Sequence, residues 1–263
     1  MTVREALRLA ERELAAAGVD TPRVDAELLL AHVLGTSRSG VYVEADAEVP
    51  GTWHGLLGRR AAREPLAYVL GEWGFRRLLL KTDARALVPR PETETVVERC
   101  LDLLRDMDEP RVLDVGTGTG AIALAIADEH PGAQVTAVDV SPEAVALAQE
   151  NAQRLQLDVD VRAGGLDAAA DGWDLVVSNP PYVTSEEWET LQPEIREWEP
   201  RGALVGSGLH AELARVARTR LLVLEVHECQ ARDVAETLTS HEYMDVRVTL
   251  DLAGKERVVE GRR

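Results

Sequence analysis

The stretch Arg111-Val112-Leu113-Asp114-Val115-Gly116-Thr117-Gly118-Thr119-Gly120-Ala121-Ile122-Ala123-Leu124-Ala125-Ile126-Ala127 reads as a strand, a glycine-rich turn and a helix in immediate succession. Glycines let the main chain turn sharply and come close to a ligand, and a small, apolar helix start packs tightly on the sheet behind it. This is a nucleotide-binding βα unit. Nineteen residues past Gly120, Asp139 ends the apolar strand Val135-Thr136-Ala137-Val138. A carboxylate placed there can accept hydrogen bonds from both hydroxyls of a ribose.

Working outward, strands and helices alternate. A helix runs from Glu92 to about Asp106, followed by Val112 to Val115, Ala121 to Glu129, Gln134 to Asp139, Pro142 to Gln153, Val159 to Arg162 and Asp174 to Ser178. Ser141-Pro142-Glu143 is a good helix start, with serine as cap and proline in the first turn. Such alternation builds a parallel sheet with helices on both faces, and ligands bind beyond the carboxyl ends of its strands. After Val226 the pattern becomes a helix near Ala231 to Ser240 and two strands, Asp245 to Leu250 and Arg257 to Glu260, a closing hairpin. The fold expected is α/β, a seven-stranded Rossmann-like sheet.

The glycine spacing narrows the ligand. A dinucleotide site uses Gly-x-Gly-x-x-Gly to seat a pyrophosphate on the helix N-terminus. Here the spacing is Gly-x-Gly-x-Gly, preceded by Asp114. An acid at the mouth of the site suits a cationic amino-acid tail better than a diphosphate, so S-adenosyl-L-methionine is favoured over NAD.

A second motif, Asn179-Pro180-Pro181-Tyr182, directly follows the apolar run Leu175-Val176-Val177. An amide or amino nitrogen is a poor nucleophile because its lone pair is delocalised; a catalyst must hold its N–H hydrogens and aim the nitrogen at an electrophile. Asn179 offers a side-chain carbonyl and Pro180 a main-chain carbonyl. The two prolines fix φ, remove competing N–H donors and push the preceding residues toward extended backbone. Tyr182 is placed to cover the planar group.

These motifs resemble the glutamine methyltransferases that modify peptide chain release factors, a class I methyltransferase family. The resemblance extends to Glu64-Pro65-Leu66-Ala67-Tyr68-Val69-Leu70-Gly71-Glu72, to Leu87-Val88-Pro89-Arg90-Pro91-Glu92-Thr93-Glu94, to Glu199-Pro200 with Ala203-Leu204, and to Asp251-Leu252-Ala253-Gly254 before Arg257-Val258-Val259. The Asn-Pro-Pro-Tyr motif is shared with DNA adenine methyltransferases; Pro-Arg-Pro-Glu-Thr-Glu is far more specific. The resemblance implies a helical substrate-docking domain and a cofactor-binding catalytic domain. It implies that Gly116, Thr117, Gly118, Thr119, Gly120 and Asp139 line S-adenosylmethionine, and that Asn179, Pro180, Pro181 and Tyr182 hold a glutamine from a Gly-Gly-Gln loop. Where the family carries an acid and then a large side chain near the adenine, this chain has Gly165-Leu166. Leu166 is expected to cover an adenine face without a polar contact. The stretch Leu213 to Leu221 is short and lacks the family's glycine turn before the fifth strand, which trims a surface loop.

The N-terminal part reads as helices. Thr2 with Glu5 makes a capping box for a helix to about Ala17; Thr21-Pro22 opens a second that ends before Gly35; others run from about Thr52 to Arg63 and Leu66 to Leu70. Their apolar faces must bury against one another as a small bundle. Trp73 to Val88 reads as a hairpin, with Leu78-Leu79-Leu80 and Ala86-Leu87-Val88 on either side of Thr82-Asp83. The expected organisation is a docking domain over 1–72, a β-hairpin linker over 73–91 and a catalytic domain over 92–263.

Composition and charge constrain the partners. Only Cys100 and Cys229 occur, without metal-like spacing, so neither a disulfide nor a metal site is expected. No apolar stretch approaches a membrane span, the first residues start an acid-containing amphipathic helix rather than a signal peptide, and the cytoplasm is the expected compartment. The formal charge is −17, yet residues 1–80 hold ten arginines, no lysine and eleven acids, so the excess lies in the catalytic part. A nucleic-acid methyltransferase must neutralise phosphates, and this chain repels them; long-range attraction favours a basic protein partner. Arg59, Arg60, Arg63, Arg76 and Arg77 form the local exception, read either as a solvated face or as a docking patch. The competing readings are methylation of another protein glutamine or of a nucleic-acid adenine, and a non-catalytic cofactor-binding protein.

Overall fold

A computed structural model describes residues 1–263. The chain forms two compact units, residues 1–72 with 192–198, and residues 73–191 with 199–263.

The first unit is helical: α1 (Val3–Ala16), α2 (Pro22–Leu34), α3 (Gly40–Val43), α4 (Trp53–Ala61) and α5 (Leu66–Leu70), joined by a short helix at Pro193–Trp198. Thr2 and Glu5 make the reciprocal capping box, and Gly35 closes α2 in the left-handed conformation. Val3, Ala6, Leu7, Ala10 and Leu14 recur at helical spacing and pack with Leu29, Leu30, Val41, Trp53, Leu57 and Val69. The arginines of this unit are structural. Arg60 is only 5% exposed, with Asp25 at 2.6 Å and Glu194 at 2.8 Å. Arg63 holds the same Glu194 and the carbonyls of Ala17 and Gly18. Arg59 is paired to Glu64. Residues 192–198 are thus tied to the bundle by a buried carboxylate between two guanidiniums. In the second unit Arg76 pairs with Glu129, and of the five only Arg77 stays mostly exposed. A free basic docking patch is therefore not what these five residues make: the largely buried Arg60, Arg63 and Arg76 are matched by acids, and Arg59 is held by Glu64.

The second unit opens with a two-stranded hairpin, β1 (Glu72–Phe75) and β2 (Leu78–Lys81). The sequence placed its strands later, at Leu78–Leu80 and Ala86–Val88. The observed turn is Arg76-Arg77, where Arg76 adopts φ 50° and its N–H donates to Glu94 at 2.9 Å. Residues 82–91 are instead irregular. The remaining elements run α6 (Thr93–Leu104), β3 (Arg111–Val115), α7 (Ala121–Glu129), β4 (Gln134–Asp139), α8 (Pro142–Leu155), β5 (Val159–Ala163), β6 (Trp173–Ser178), α9 (Ser185–Trp188), α10 (the Pro193–Trp198 helix of the first unit), α11 (Leu209–Val216), β7 (Thr219–Glu225), α12 (Ala231–Ser240), β8 (Met244–Leu250) and β9 (Glu256–Arg262). The sheet order is β5-β4-β3-β6-β7-β9-β8, parallel except for β9, which is antiparallel to both neighbours. Alternate strand residues serve opposite faces. Val112, Leu175, Val177 and Val223 meet α6, α7 and α8, whereas Leu113, Val115, Val176, Leu222 and Leu224 meet α11 and α12. No helix is long and apolar enough to cross a membrane.

Candidate active site

Strand order reverses at β3, whose neighbours are β4 on one side and β6 on the other. A crevice opens at the carboxyl ends of such strands, and both motifs stand there: the glycine loop after β3 and the Asn179–Tyr182 turn after β6. The Ser178 hydroxyl donates to the Val115 carbonyl at 2.7 Å, fixing the two strand ends together. Gly116 and Thr117 both donate to the Val138 carbonyl, at 2.8 and 3.0 Å. Asp139 accepts from the N–H of Gly118 and of Ser141, each at 2.9 Å. Two main-chain donors thus aim this carboxylate, and each oxygen keeps lone-pair capacity for a ligand. Gly118 has φ 57°, and a Cβ there would meet only Ala86, at 3.8 Å. At Gly120, φ 85°, a Cβ would come within 2.9 Å of Leu124. The first supplies open main chain, the second close helix packing.

Asp114 does not stand at the mouth. It is fully buried beneath the loop, where it accepts from the Thr117 hydroxyl at 2.7 Å and the Ala123 N–H at 3.3 Å. Burial raises its pKa to about 7, against the lowering effect of those two bonds. Its role is to shape the loop.

A cavity of about 270 Å³ lies over the loop, walled by Asp139, Val140 and Ser141, by the irregular segment Arg85–Arg90, and by Thr93, Asn179 and Pro181. Glu199 ties the Arg85–Arg90 wall down, accepting from the Val88 N–H at 3.1 Å and the Arg90 guanidinium at 2.5 Å. Val140 lines the cavity while 79% exposed. Leu166 does not line it; it is half-buried against the core on the α11/α12 face. The apolar wall expected of Leu166 is provided by Val140, which sequence reading passed over although it directly follows Asp139. A side chain at Gly165 would begin 3.5 Å from Val140 and 3.2 Å from the Asp167 carboxylate. An open glycine main chain, an oriented acid and an apolar wall fit an adenosyl ligand.

The turn is held from three sides. Val183 and Val205 form a parallel bridge, with Val183 donating to the Leu204 carbonyl at 2.9 Å and Gly206 to the Val183 carbonyl at 3.1 Å. Asn179 is half-buried, its Nδ2 donating to the Thr93 hydroxyl at 3.4 Å. The Gln230 side chain donates to the Tyr182 carbonyl at 3.2 Å, and the Tyr182 hydroxyl to Glu225 at 3.4 Å. Pro180 is buried and Tyr182 half-buried; neither lines the cavity. Thr93, Glu199 and Gln230 went unassigned in the sequence reading because their contacts span long stretches of chain. Glu225, at the end of β7, is 1% exposed. Burial pushes its pKa up to about 7, partly offset by the Thr93 hydroxyl, Arg257 and Tyr182. Burial and the neighbouring Glu225 raise the Tyr182 phenol above its ordinary range.

Fold and site together define a class I, S-adenosylmethionine-dependent methyltransferase. Among solved structures of this fold, the hMettl16 catalytic domain in complex with MAT2A 3'UTR hairpin 6 superposes with TM-score 0.57 at 16% identity, covering 79% of this chain and 81% of that one. The T. thermophilus 16S rRNA N2 G1207 methyltransferase RsmC, in complex with AdoMet and guanosine, gives TM-score 0.53 at 17% identity, covering 73% and 49%. Residues 5–71 match the PrmC N-terminal domain and residues 97–196 the methyltransferase small domain. The release factor glutamine methyltransferase of Deinococcus radiodurans is 43% identical, covering 100% of this chain and 99% of its own length. That of Caulobacter vibrioides is 38% identical, covering 99% and 96%. The chain belongs to the release factor glutamine methyltransferase family.

Proposed function

We propose that this protein methylates the side-chain amide nitrogen of the glutamine in the Gly-Gly-Gln loop of a peptide chain release factor. The observation that carries the reading is the Asn179 amide, whose Nδ2 faces the Thr93 hydroxyl at 3.4 Å, leaving Oδ1 to accept an N–H from another planar amide. Family membership supplies the acceptor class. The cofactor, when bound, supplies a methyl group already activated on a cationic sulfur. Gly116, Thr117, Gly118, Thr119, Asp139 and Val140 would hold it, with Gly120 setting the close packing of α7 behind them instead of lining the cavity; Asn179 Oδ1 and the Pro180 carbonyl would grip the acceptor amide. Held by those two oxygens, the acceptor nitrogen would be aimed at that methyl group, and the proton it gives up on methylation would leave to solvent. No strong base is needed, so the protein's contribution is orientation and exclusion of water. In this reading residues 1–72 dock the release factor, residues 73–91 link the units, and residues 92–263 carry the chemistry in the cytoplasm, where translation factors act. The formal charge of −17 suits a basic partner and opposes a nucleic-acid one.

The test is transfer of labelled methyl to purified, unmodified release factor. Asn179→Ala is expected to lower kcat by about 100-fold or more, as loss of an orienting contact does, with cofactor affinity retained in calorimetry. Replacing the loop glutamine should abolish labelling. Labelling of a nucleic acid instead, or cofactor binding with no turnover on any release factor, would overturn the assignment.

A further inference from the structure

The ribose acid fixes where the base of the cofactor goes. Asp139 ends β4 and Val140 follows it, mostly exposed on the cavity wall, so a purine joined to a ribose at Asp139 passes over Val140. Strands β4 and β5 finish side by side, with Asp139 opposite Ala163, and the Gly164 N–H donates to the Asp139 carbonyl at 3.0 Å. The segment that flanks the base is therefore the one leaving β5, Gly164 to Asp167.

Adenine presents at C6 an amine, which donates, so a site that reads it needs an acceptor. Few stand near Val140. Asp139 serves the ribose; the Ser141 hydroxyl donates to Glu143 at 2.9 Å and accepts from the Ala144 N–H at 3.2 Å; Gly164 and Gly165 bring no side chain. Asp167 remains. Its Oδ1 stands 3.2 Å from the point where a Cβ on Gly165 would lie, and Val140 Cγ1 stands 3.5 Å from the same point. The carboxylate and the apolar wall thus flank one gap. Gly165 has φ −120°, extended backbone that any residue adopts, so it is the gap and not the main chain that calls for glycine. Asp167 is exposed, and its oxygens enter no hydrogen bond or ion pair within the chain.

We propose that Asp167 determines specificity for the cofactor's base, its carboxylate accepting from the adenine amine while Val140 covers the ring. The polar contact missing at position 165 is made from position 167, two residues along, across the space that Gly165 leaves. A carbonyl at C6 would face this carboxylate as acceptor against acceptor and be rejected, because a site built to hold an N–H leaves its own acceptor unpaired when the N–H is absent. The inference concerns the cofactor alone and holds whichever amide is methylated.

The test is calorimetric titration with S-adenosylhomocysteine and with S-inosylhomocysteine, in which a C6 carbonyl replaces the amine. Wild type should bind the adenosyl ligand about tenfold or more tightly than the inosyl one. Asp167→Ala should shrink that ratio roughly 5- to 10-fold, chiefly by weakening the adenosyl ligand. Asp167→Asn can turn an N–H toward a carbonyl and should move the preference further toward the inosyl ligand, an effect that general loosening of the site would not produce. Asp139→Ala should weaken both ligands alike, since they share the ribose. Because Asp167 is exposed, its variants should unfold at the wild-type temperature without ligand. A wild type that does not distinguish the two ligands, a ratio within twofold of wild type in Asp167→Ala, or equal weakening of both ligands in that variant would overturn the proposal.

Discussion

Gly206 shows how one missing side chain can set a catalytic turn. A Cβ there would lie 2.8 Å from both the Cβ and the carbonyl oxygen of Pro181, closer than atoms pack, and the Pro181 main chain cannot yield without moving Asn179 and Tyr182. Gly206→Ala should therefore lower kcat by about tenfold or more through displacement of the turn, with cofactor affinity nearly unchanged. Steady-state kinetics beside calorimetry would check it, and an unchanged kcat would show that the turn tolerates the shift. The acids near the loop carry a related lesson. Asp114 precedes the glycine turn on β3 and Asp139 ends the next strand, and the sequence reading put both at the ligand. Strand alternation separates them: Leu113 and Val115 face α11 and α12, so Asp114 must face the α7 side, where the loop and the Ala123 N–H enclose it. The pattern was legible, but the helix that closes over it was not.

Among elements, α8 does more than cover the sheet. Its Asn151 is fully buried; Oδ1 accepts from the Lys81 N–H at 2.7 Å, and Nδ2 donates to the carbonyls of Lys81 at 3.1 Å and Thr119 at 2.9 Å. One side chain thus joins the end of β2 to the glycine loop. Asn151→Ala leaves three polar groups without partners and should destabilise the protein by about 2–4 kcal/mol, measured by denaturant unfolding, while weakening cofactor binding because the loop and the Arg85–Arg90 wall lose their tie. The same contact explains why the hairpin was misplaced from sequence. Leu78-Leu79-Leu80 and Ala86-Leu87-Val88 are equally apolar, and local pattern gives no preference between pairing them and pairing β1 with β2. What decides is the end of β2 bonded to Asn151, some seventy residues on, with Ala86 packed on Ala144 and Leu147 of α8 instead of in a sheet. The alternating strands and helices from Arg111 to Ser178 were legible because each carries its own periodicity and caps. The tethering of residues 192–198 by Arg60 and Arg63 was not, since a charge run reads as a solvated face until its acids are located.

At the scale of the whole molecule, the formal charge of −17 hides two opposed sets of acids. Glu27, Glu129 and Glu194 sit below the usual carboxylate range. Arg76 is the largest influence on Glu129; for Glu27 and Glu194 burial opposes, and the hydrogen bonds from Tyr42 and the arginines prevail. Their stabilising effect is present above about pH 4.5 and is lost as pH falls through their folded values. Asp114 and Glu225 behave oppositely, both raised to about 7 chiefly by burial. Between their unfolded values near 4 and their folded values, the native state binds more protons than the unfolded state, so stability falls as pH rises across that window. Each pKa unit is worth about 1.4 kcal/mol, and the two carboxyls together exert a loss of several kcal/mol, complete only above neutrality. His210, held below its ordinary value by burial, works the other way, adding stability as pH rises toward 6.5, but it is one group against two. The cofactor-free protein should accordingly unfold at a higher temperature at pH 6 than at pH 8. Asp114→Asn keeps acceptors for Thr117 and Ala123, and Glu225→Gln keeps one for Tyr182, so the double variant should retain the fold while losing most of that decline. Calorimetric scans of both proteins across pH 5 to 8 decide the matter: an equal decline in the double variant would place the pH dependence in the surface charges instead of in these two buried acids.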